Sequence, residues 1–498
     1  MLNLKSFSTL IVLLQVTLAL LLLFNFPGYL EVRGVSTSDG PSYINYPWGS
    51  LKEVLGSHRN FAYPLFLKSV FFLFNDYSNI PVIQTIFYFT SIVFLFYIFR
   101  KYLPNFVLSG FVFCSFLIWH KPLFRWLPHI LTEGNAATLL NFCLAFLIIT
   151  YRKEKLVWYL LLALLSFLLF QVRTAFVFVC LLFPFWMLAI AWIEKKNKKD
   201  ILIVFIKTSV ATIFPVVIYA FLRLLMVGQF GIAPLNGILL SGHASTFYTE
   251  TDNVFTSPKV KALSDLIEHK KKFLRSPCNS HFITNNDTYP VEIHSECYFD
   301  YVMTNWLAAI EIIDGERPFD DYRNDRAWDY VPTLSPFFSR YTVEHDKLLM
   351  EYSTPIIKSH YKEYFSWVYS GMPVALNTLK SYRLESIESA KVIYDNKVKN
   401  VSTSFICLTF YAGIFLGILF SIFRVNLKND EVFLFTFIGF SFFVTSLAPV
   451  LFLNTFIVRF FDLHTIYLFP SLCIFTIYLT QLTFSKLILT YNVIVKKN

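Results

Sequence analysis

The chain has 498 residues, of which 55% are hydrophobic, 19% are aromatic and only 15% are charged. A soluble domain carries about 25% charged residues, so the composition excludes an ordinary soluble protein and predicts an all-α polytopic membrane protein. The net charge of +10 is unevenly placed, since residues 228–400 hold 18 basic and 22 acidic residues and the rest holds 25 basic and 11 acidic. Because the basic excess lies in short loops between apolar segments, it indicates membrane topology and does not predict nucleic-acid binding.

We expect about ten transmembrane helices. The predicted spans are approximately 10–26, 80–99, 106–119, 134–150, 156–170, 175–193, 201–222, 405–423, 432–452 and 466–484. Lys5 precedes the first span and no small-residue cleavage site follows it, so we interpret this span as an anchor. The segment 61–74 is apolar but short, and we expect it to lie along the membrane interface. Placing the basic loops in the cytoplasm puts both termini on that side.

The chain then divides into three parts. Residues 1–227 form an N-terminal transmembrane module whose first outer loop is 27–79, residues 228–400 form a large extracytoplasmic, mainly helical loop domain, and residues 401–498 form a C-terminal transmembrane module. Within the middle part, the acidic and aromatic segment 310–329 suits a sugar-binding surface and equally an ordinary folded surface.

Three local features of the middle part lead to further expectations. Aromatic and apolar residues at helical spacing, Tyr361, Tyr364, Phe365 and Val368, predict an amphipathic helix. Cys278 and Cys297 lie on the predicted oxidising side, where a disulfide and two free thiols both stay open. The run 320–325 carries several carboxylates, and we interpret it as a solvated surface in preference to a metal site.

Ionisable residues that the topology rule does not explain converge on the predicted outer loops and span ends. They are Asp39, Arg59, His129, Glu133, Arg173, Arg459, Asp462 and His464. A single charge at a span end is ordinary, because long basic side chains reach the interface, whereas several together indicate a functional site. The sequence has no Walker A motif, no GxGxxG opening a helix, no HExxH and no GxSxG. We therefore do not expect a soluble nucleotide as the donor of an outer-face reaction.

Four short motifs carry a resemblance to a known family. They are SDGPSYI at 38–44, RNFAYPLFL at 59–67, ILTEGN at 130–135 and VRFFDLHTIY at 458–467. With the N-terminal span and the predicted span 80–99, which contains Gln84 and Thr85, these segments resemble the GT-C glycosyltransferases, which are polytopic enzymes that use polyprenyl-phosphate sugars. The resemblance covers about residues 1–200 and is thin thereafter. The Phe-rich composition and the single large outer loop are also similar to the phage-type O-antigen glucosyltransferases of Gram-negative bacteria.

The resemblance implies a GT-C-like fold and a hexosyltransferase that moves a hexose, with glucose favoured, from a polyprenyl-phosphate donor to a glycan acceptor such as O-antigen. Asp39 would be the general base of an inverting displacement, and Glu133 the second catalytic carboxylate. The implied substrate-binding residues are Arg59, Tyr43, Tyr63, His129, Arg173, Arg459 and His464. Their arginines would bind the leaving phosphate. The implied location is the bacterial inner membrane, with the lipid bilayer as partner and the active site on the periplasmic side.

No cofactor beyond the lipid-linked sugar donor is implied. A divalent cation that bridges Asp39 and the phosphate stays open, although no metal ligand set is visible.

Three alternatives remain at this point. An O-antigen polymerase or ligase also acts on polyprenyl substrates and would rely on outer-loop Arg and His. A polytopic transporter or flippase would carry ionisable groups in mid-span and paired discontinuous helices. The segment 228–400 also fits a non-enzymatic outer sensor domain.

Overall fold

The structure, a computed structural model, describes residues 4–30, 39–124, 126–248, 254–274, 291–315, 341–366, 368, 405–422, 427–453, 463 and 465–497. This part of the chain is helical throughout and contains no β-strand. The α-helices are Leu4–Phe24 (α1), Gly40–Ile44 (α2), Leu51–Gly56 (α3), Ala62–Phe74 (α4), Ile80–Tyr102 (α5), Val107–Ile118 (α6), Lys121–Phe124 (α7), Thr132–Lys153 (α8), Leu156–Val172 (α9), Val177–Ile193 (α10), Lys198–Val227 (α11), Asn236–Phe247 (α12), Pro258–Lys271 (α13), Val291–Asp314 (α14), Val343–Ser359 (α15), Phe405–Ile422 (α16), Asn429–Leu453 (α17) and Leu468–Lys497 (α18).

Six of the described helices, α1, α5, α8, α10, α11 and α18, are long and apolar enough to cross a membrane. The chain is therefore a multi-pass membrane protein by length and composition. All ten predicted spans coincide with helices, but the structure supports six full crossings by this criterion. The difference arises partly because α6 and α9 have only 12 and 17 residues, which is shorter than the roughly 20 residues that a full crossing needs.

Helix α8 lies at the centre of the membrane part. In its apolar segment 83% of residues are buried, against 22% in α1 and α11, which present most of their surface outward. Asn141 of α8 donates to Ser91 Oγ of α5 at 3.0 Å and accepts from the Tyr467 hydroxyl at 3.0 Å. Polar groups in the membrane interior must find partners within the protein, so this network fixes α8 against its neighbours.

The C-terminal helices pack closely through glycines. Gly413 and Gly417 of α16 form a GxxxG motif, and a Cβ atom on either would lie within 2.7 Å of a threonine Cβ on α18. A Cβ atom on Gly439 of α17 would lie 2.1 Å from Ser471 Oγ on α18. Small residues let membrane helices approach to backbone contact, so these glycines set the spacing of the three helices.

The basic loops lie together on one end of the helices, which we call the basic face. The Arg152 guanidinium donates from Nε to the Tyr102 carbonyl at 2.8 Å and from Nη1 to Glu194 Oε2 at 2.8 Å. Lys196 pairs with Glu154 at 2.6 Å. These contacts join the ends of α5, α8 and α10, as the charge pattern predicts.

Helices α12–α15 form a domain at the other end of the 30-residue helix α11, and we call it the cap. Its hydrophobic cluster includes the buried Trp306 and Tyr352 and extends to Phe443 of α17 and Leu468 of α18. The described residues of this middle part are helical, as the sequence predicts. We call the end of the membrane helices beside the cap the cap face.

Two predictions within the middle part are resolved in part. Cys297 is disulfide-bonded, which settles the state of this sulfur, while Cys278 and the run 320–325 lie outside the described residues.

In the predicted amphipathic helix, Tyr364 and Val368 are buried, whereas Tyr361 and Phe365 are exposed. The apolar face is therefore narrower than the sequence pattern indicates.

Candidate functional site

Asp39 begins the short helix α2 in the first loop on the cap face. Its neighbour is a glycine and Pro41 follows in the first turn, which is ordinary chemistry for a turn or helix start. The Asp39 side chain makes no capping hydrogen bond, however, although the residue occupies the N-cap position. Its Oδ1 instead pairs with Nη2 of Arg59 at 2.7 Å. The carboxylate is therefore directed at a residue 20 positions away instead of at its own turn.

Arg59 is held by several side chains of this loop. Its Nε donates to Ser42 Oγ at 2.9 Å, and its Nη1 donates to the Tyr43 hydroxyl at 3.3 Å. Its Cζ lies 4.6 Å from the centroid of the Tyr43 ring, a cation–π distance. The Arg59 and Asp39 side chains keep 22% and 24% of their surface exposed. The pair is therefore positioned by the fold and still reachable by a ligand.

A second ion pair lies where α8 begins and α9 ends. Glu133 Oε1 lies 3.0 Å from Nη1 of Arg173, and the same Nη1 donates to Thr132 Oγ1 at 3.1 Å. Glu133 is fully buried, in the first turn of α8, where the helix dipole favours an acidic group. Arg173 has extended backbone between α9 and the 3-10 turn Thr174–Phe176, so this break in the apolar segment aims its side chain at the start of α8.

Asn60 joins the two ion pairs. Its side-chain amide donates to the Phe170 carbonyl at 3.1 Å and to Thr174 Oγ1 at 3.2 Å. Because Asn60 follows Arg59 and Thr174 follows Arg173, the two arginines are connected through adjacent residues.

A second set of contacts brings in the remaining described predictions. The rings of Tyr63 and Tyr43 meet edge-on with centroids 5.0 Å apart, and the Tyr63 hydroxyl donates to Gln84 Oε1 at 3.3 Å. Gln84 Nε2 donates in turn to the carbonyls of Leu127 and His129, at 2.8 and 2.9 Å. The structure thus connects all seven predicted site residues that it describes. Arg459 and His464, like the neighbouring Asp462, lie outside the described residues.

Several buried polar atoms near these pairs have no hydrogen-bond partner among the described residues. They include His58 Nε2, Arg173 Nε and Arg223 Nη1. Burial lowers the pKa of His58 to about 3, and the adjacent Arg59 contributes to that shift, so the imidazole is neutral at physiological pH. Buried polar groups are normally satisfied, and similar exceptions occur elsewhere in the described residues, so these atoms by themselves do not mark a ligand site.

An apolar groove between α9 and α11 lies next to this loop. It has a volume of about 310 Å³ and is lined by Phe167, Phe214, Pro215, Ile218, Tyr219 and Leu222. The Phe61 ring, next to Asn60 in sequence, packs against Phe167 with centroids 5.9 Å apart. The loop that carries the polar pair thus packs through Phe61 on a residue of the groove lining, and a polar group near an apolar groove suits an amphipathic ligand.

The sequence assigns no role to three residues of this region, although Asn60 and Gln84 lie within the segments that carry the family resemblance. Asn60 and Gln84 connect the predicted residues, and Arg223 is a buried cation within the long apolar helix α11. The signal for Arg223 was present, since an ionisable residue in an apolar segment is a functional candidate by default. The prediction ended the span at Leu222, so that Arg223 resembled an ordinary flanking charge.

Among the described residues, no three His, Cys, Asp or Glu side chains form a group that could hold a metal ion. No protein-family model matches the chain, and neither a curated protein sequence nor a solved structure matches it. The site is therefore interpreted from its own contacts.

Proposed function

We propose that the protein is an integral membrane glycosyltransferase of the GT-C type, which transfers a hexose from a polyprenyl-phosphate donor to a glycan acceptor. The observation that carries the proposal is the Asp39–Arg59 pair, which is partly exposed and lies in a loop that is tied through Asn60 to the segment of a second arginine and through Phe61 to an apolar groove. A lipid-linked sugar phosphate presents three matching parts, namely a reacting anomeric carbon, a phosphate and a hydrocarbon chain.

Asp39 is the general base in this proposal. Its carboxylate accepts the proton of the acceptor hydroxyl as the hydroxyl oxygen attacks C1 of the sugar. The bond from C1 to the phosphate oxygen breaks as the new glycosidic bond forms, and polyprenyl phosphate leaves with the electron pair. A single in-line displacement of this kind inverts the anomeric centre.

Arg59 supports the leaving phosphate. A guanidinium is always charged and offers a planar fork of donors that matches a phosphate. Because Ser42 and the Tyr43 hydroxyl already accept from Nε and Nη1, the arginine is orientated before substrate binds. The fixed donors then stabilise the charge that develops on the leaving group.

Glu133 has a supporting role. It is fully buried and paired with Arg173, so we assign it to holding that guanidinium in place and not to direct proton transfer. Arg173 keeps Nε available at the junction that Asn60 touches, and it is the second candidate for phosphate binding.

The apolar groove between α9 and α11 suits the first isoprene units of the donor. Its lining is entirely apolar except for the Tyr219 hydroxyl, and it opens on the outward surface of the membrane helices. Branched hydrocarbon binds such a surface by apolar contact alone.

We place the cap face in the periplasm of a bacterial inner membrane. The bonded state of Cys297 supports this orientation, because disulfides persist in oxidising compartments. The basic face then lies in the cytoplasm, in agreement with the positive-inside rule. A glycan acceptor such as O-antigen would approach from the periplasmic side, beside the cap.

The test compares two asparagine substitutions in the same loop. Asp39→Asn should lower sugar transfer from a polyprenyl-phosphate hexose by at least about 10²-fold, the typical contribution of a positioned general base. Asp76→Asn is the matched control, because Asp76 is exposed and its carboxylate binds the nearby Ser78. Full activity of the Asp39→Asn enzyme, with normal membrane insertion, would refute the assignment.

A further inference from the structure

A buried polar relay runs from membrane helix α11 to the cap. Arg223 is fully buried, and its Nε donates to the carbonyl oxygen of Leu55 at 2.8 Å. Its Nη2 donates to Oε1 of Gln229 at 3.1 Å, and Nε2 of Gln229 donates to Oδ2 of Asp346 at 2.6 Å. The cation of the membrane helix and the carboxylate of the cap are thus linked through one side-chain amide.

The other oxygen of Asp346 leads back to the first loop. Oδ1 accepts from the Tyr341 hydroxyl at 2.9 Å and from the Gly237 backbone N–H at 2.8 Å. The Tyr341 ring meets the His58 ring edge-on, with centroids 6.5 Å apart. Asp346 therefore reaches the first loop by two routes, one ending at Leu55 and the other at His58.

The surroundings of Asp346 are closely packed. The residue is fully buried, and a Cβ atom on Gly237 would lie 2.1 Å from the Asp346 carbonyl oxygen. Only glycine allows α12 to approach α15 this closely. The Asp346 carboxylate therefore has a fixed position between helices α12 and α15.

Leu55 and His58, where these contacts hold the first loop, lie shortly before Arg59 in the sequence. Helix α3 ends at Gly56, and Ser57 is extended. Ser57 Oγ then accepts from the backbone N–H of Arg59 at 3.2 Å. Because residues 55–58 are anchored at Leu55 and His58, the direction in which Arg59 leaves this segment depends on those anchors.

We propose that Asp346 is a positioning residue through which the cap holds Arg59 in place on Asp39. The cap then does more than cover the membrane helices, because it sets the geometry of the arginine that binds the donor phosphate. The catalytic consequence rests on the proposed function, whereas the coupling between the cap and residues 55–58 does not.

The experiment uses the full-length protein in detergent micelles with three variants. Gln229→Leu removes the hydrogen bonds that link Arg223 to Asp346. Asp346 keeps its hydrogen bonds with Tyr341 and Gly237, so the cap retains its packing. Asp346→Asn removes the charge at the centre. Glu351→Gln, an exposed position on the same helix α15, is the matched control.

Amide hydrogen exchange in residues 51–60 and steady-state kinetics with a polyprenyl-phosphate hexose are then measured. Both relay variants should exchange about tenfold faster or more in this segment, because a local opening becomes easier. Both should also lower kcat/KM for the lipid-linked donor about tenfold, with the loss in kcat, the pattern for a lost interaction that is made in the transition state. The Glu351→Gln control should match the original protein in both measurements.

Two results would overturn the inference. The first is unchanged exchange in residues 51–60 for Gln229→Leu while its thermal unfolding stays cooperative. The second is faster exchange with an unchanged kcat for the lipid-linked donor, which would reduce Asp346 to a structural role. If the unmodified protein transfers no sugar at all, the proposed function fails, and the exchange comparison still decides the coupling between the cap and the loop.

Discussion

Breaking the Glu133–Arg173 pair should destabilise the protein strongly. In Glu133→Gln the shape of the side chain is kept and its charge is lost, so Arg173, whose side chain is only 11% exposed, is left without its carboxylate. Removing one partner of a buried pair costs about 3–5 kcal/mol. We expect about 3 kcal/mol here, the lower end of that range, because Thr132 Oγ1 still accepts from the guanidinium.

The opposite change should be at least as severe. Arg173→Met leaves a carboxylate that is entirely buried, and we expect a loss of about 4–5 kcal/mol. In the double variant neither charge remains, so the loss should be smaller than in either single variant, at about 1–2 kcal/mol.

The three variants are compared by reversible unfolding in mixed micelles titrated with a denaturing detergent. A double-mutant cycle gives the coupling energy directly, and the losses expected above make it about 5–7 kcal/mol in magnitude. Additive losses in the double variant would refute the reasoning, because they would mean that the two residues act independently. A loss below about 0.5 kcal/mol in Glu133→Gln, the usual size for an uncoupled surface change, would refute it as well.

Three further outcomes are expected. Gly439→Ala should lower the free energy of unfolding by about 1–3 kcal/mol through overpacking against Ser471, whereas Gly56→Ala, whose Cβ would meet its nearest neighbour at 3.7 Å, serves as the control. Acidification from pH 7 to pH 5 should lower the free energy of unfolding by about 2 kcal/mol through His58, because its folded pKa of about 3 lies below the unfolded value and the unfolded chain binds the proton first. This loss of stability begins near pH 6.5 and grows towards pH 3. His58→Gln should reduce the slope of the free energy of unfolding against pH in this range. An identical slope in the variant would contradict the assignment of the loss to His58. Asn60→Leu should lower sugar transfer about 10²-fold in a vesicle assay by displacing the loop from the α9–α10 junction, and activity within a factor of two would show that this link is dispensable.

The positions of the membrane helices could be predicted because apolar segment length is a local property of the sequence. The predicted spans 80–99 and 201–222 lie within α5 and α11. The number of full crossings could not be predicted in this way, since short helices such as α6 and α9 pack among longer ones. Nor did apolar length indicate that Gly413 and Gly417 would bring α16 against α18, because this depends on what the facing helix presents.

The residues of the candidate site were predictable as individuals and not as pairs. Several charged residues at the ends of apolar spans are candidates for a functional site. On this ground the sequence predicts Asp39, Arg59, Glu133 and Arg173. Their pairing depends on the break after α9 and on the route of the first loop, which no spacing in the sequence encodes. Asp346 was one of 22 acidic residues in the middle part, and its role becomes visible only when the partners of each oxygen are known.

The contacts between the two ends of the chain have a consequence for biogenesis. Ser109 of α6 donates to Glu431 of α17 at 2.6 Å, and Trp186 of α10 donates to Ser441 of α17 at 2.9 Å. The hydrophobic cluster of the cap likewise includes residues of α17 and α18. During synthesis the first eleven helices and the cap therefore emerge before the groups that complete them. Until the last hundred or so residues are inserted, Ser109 and Trp186 lack the partners that they have in the complete fold.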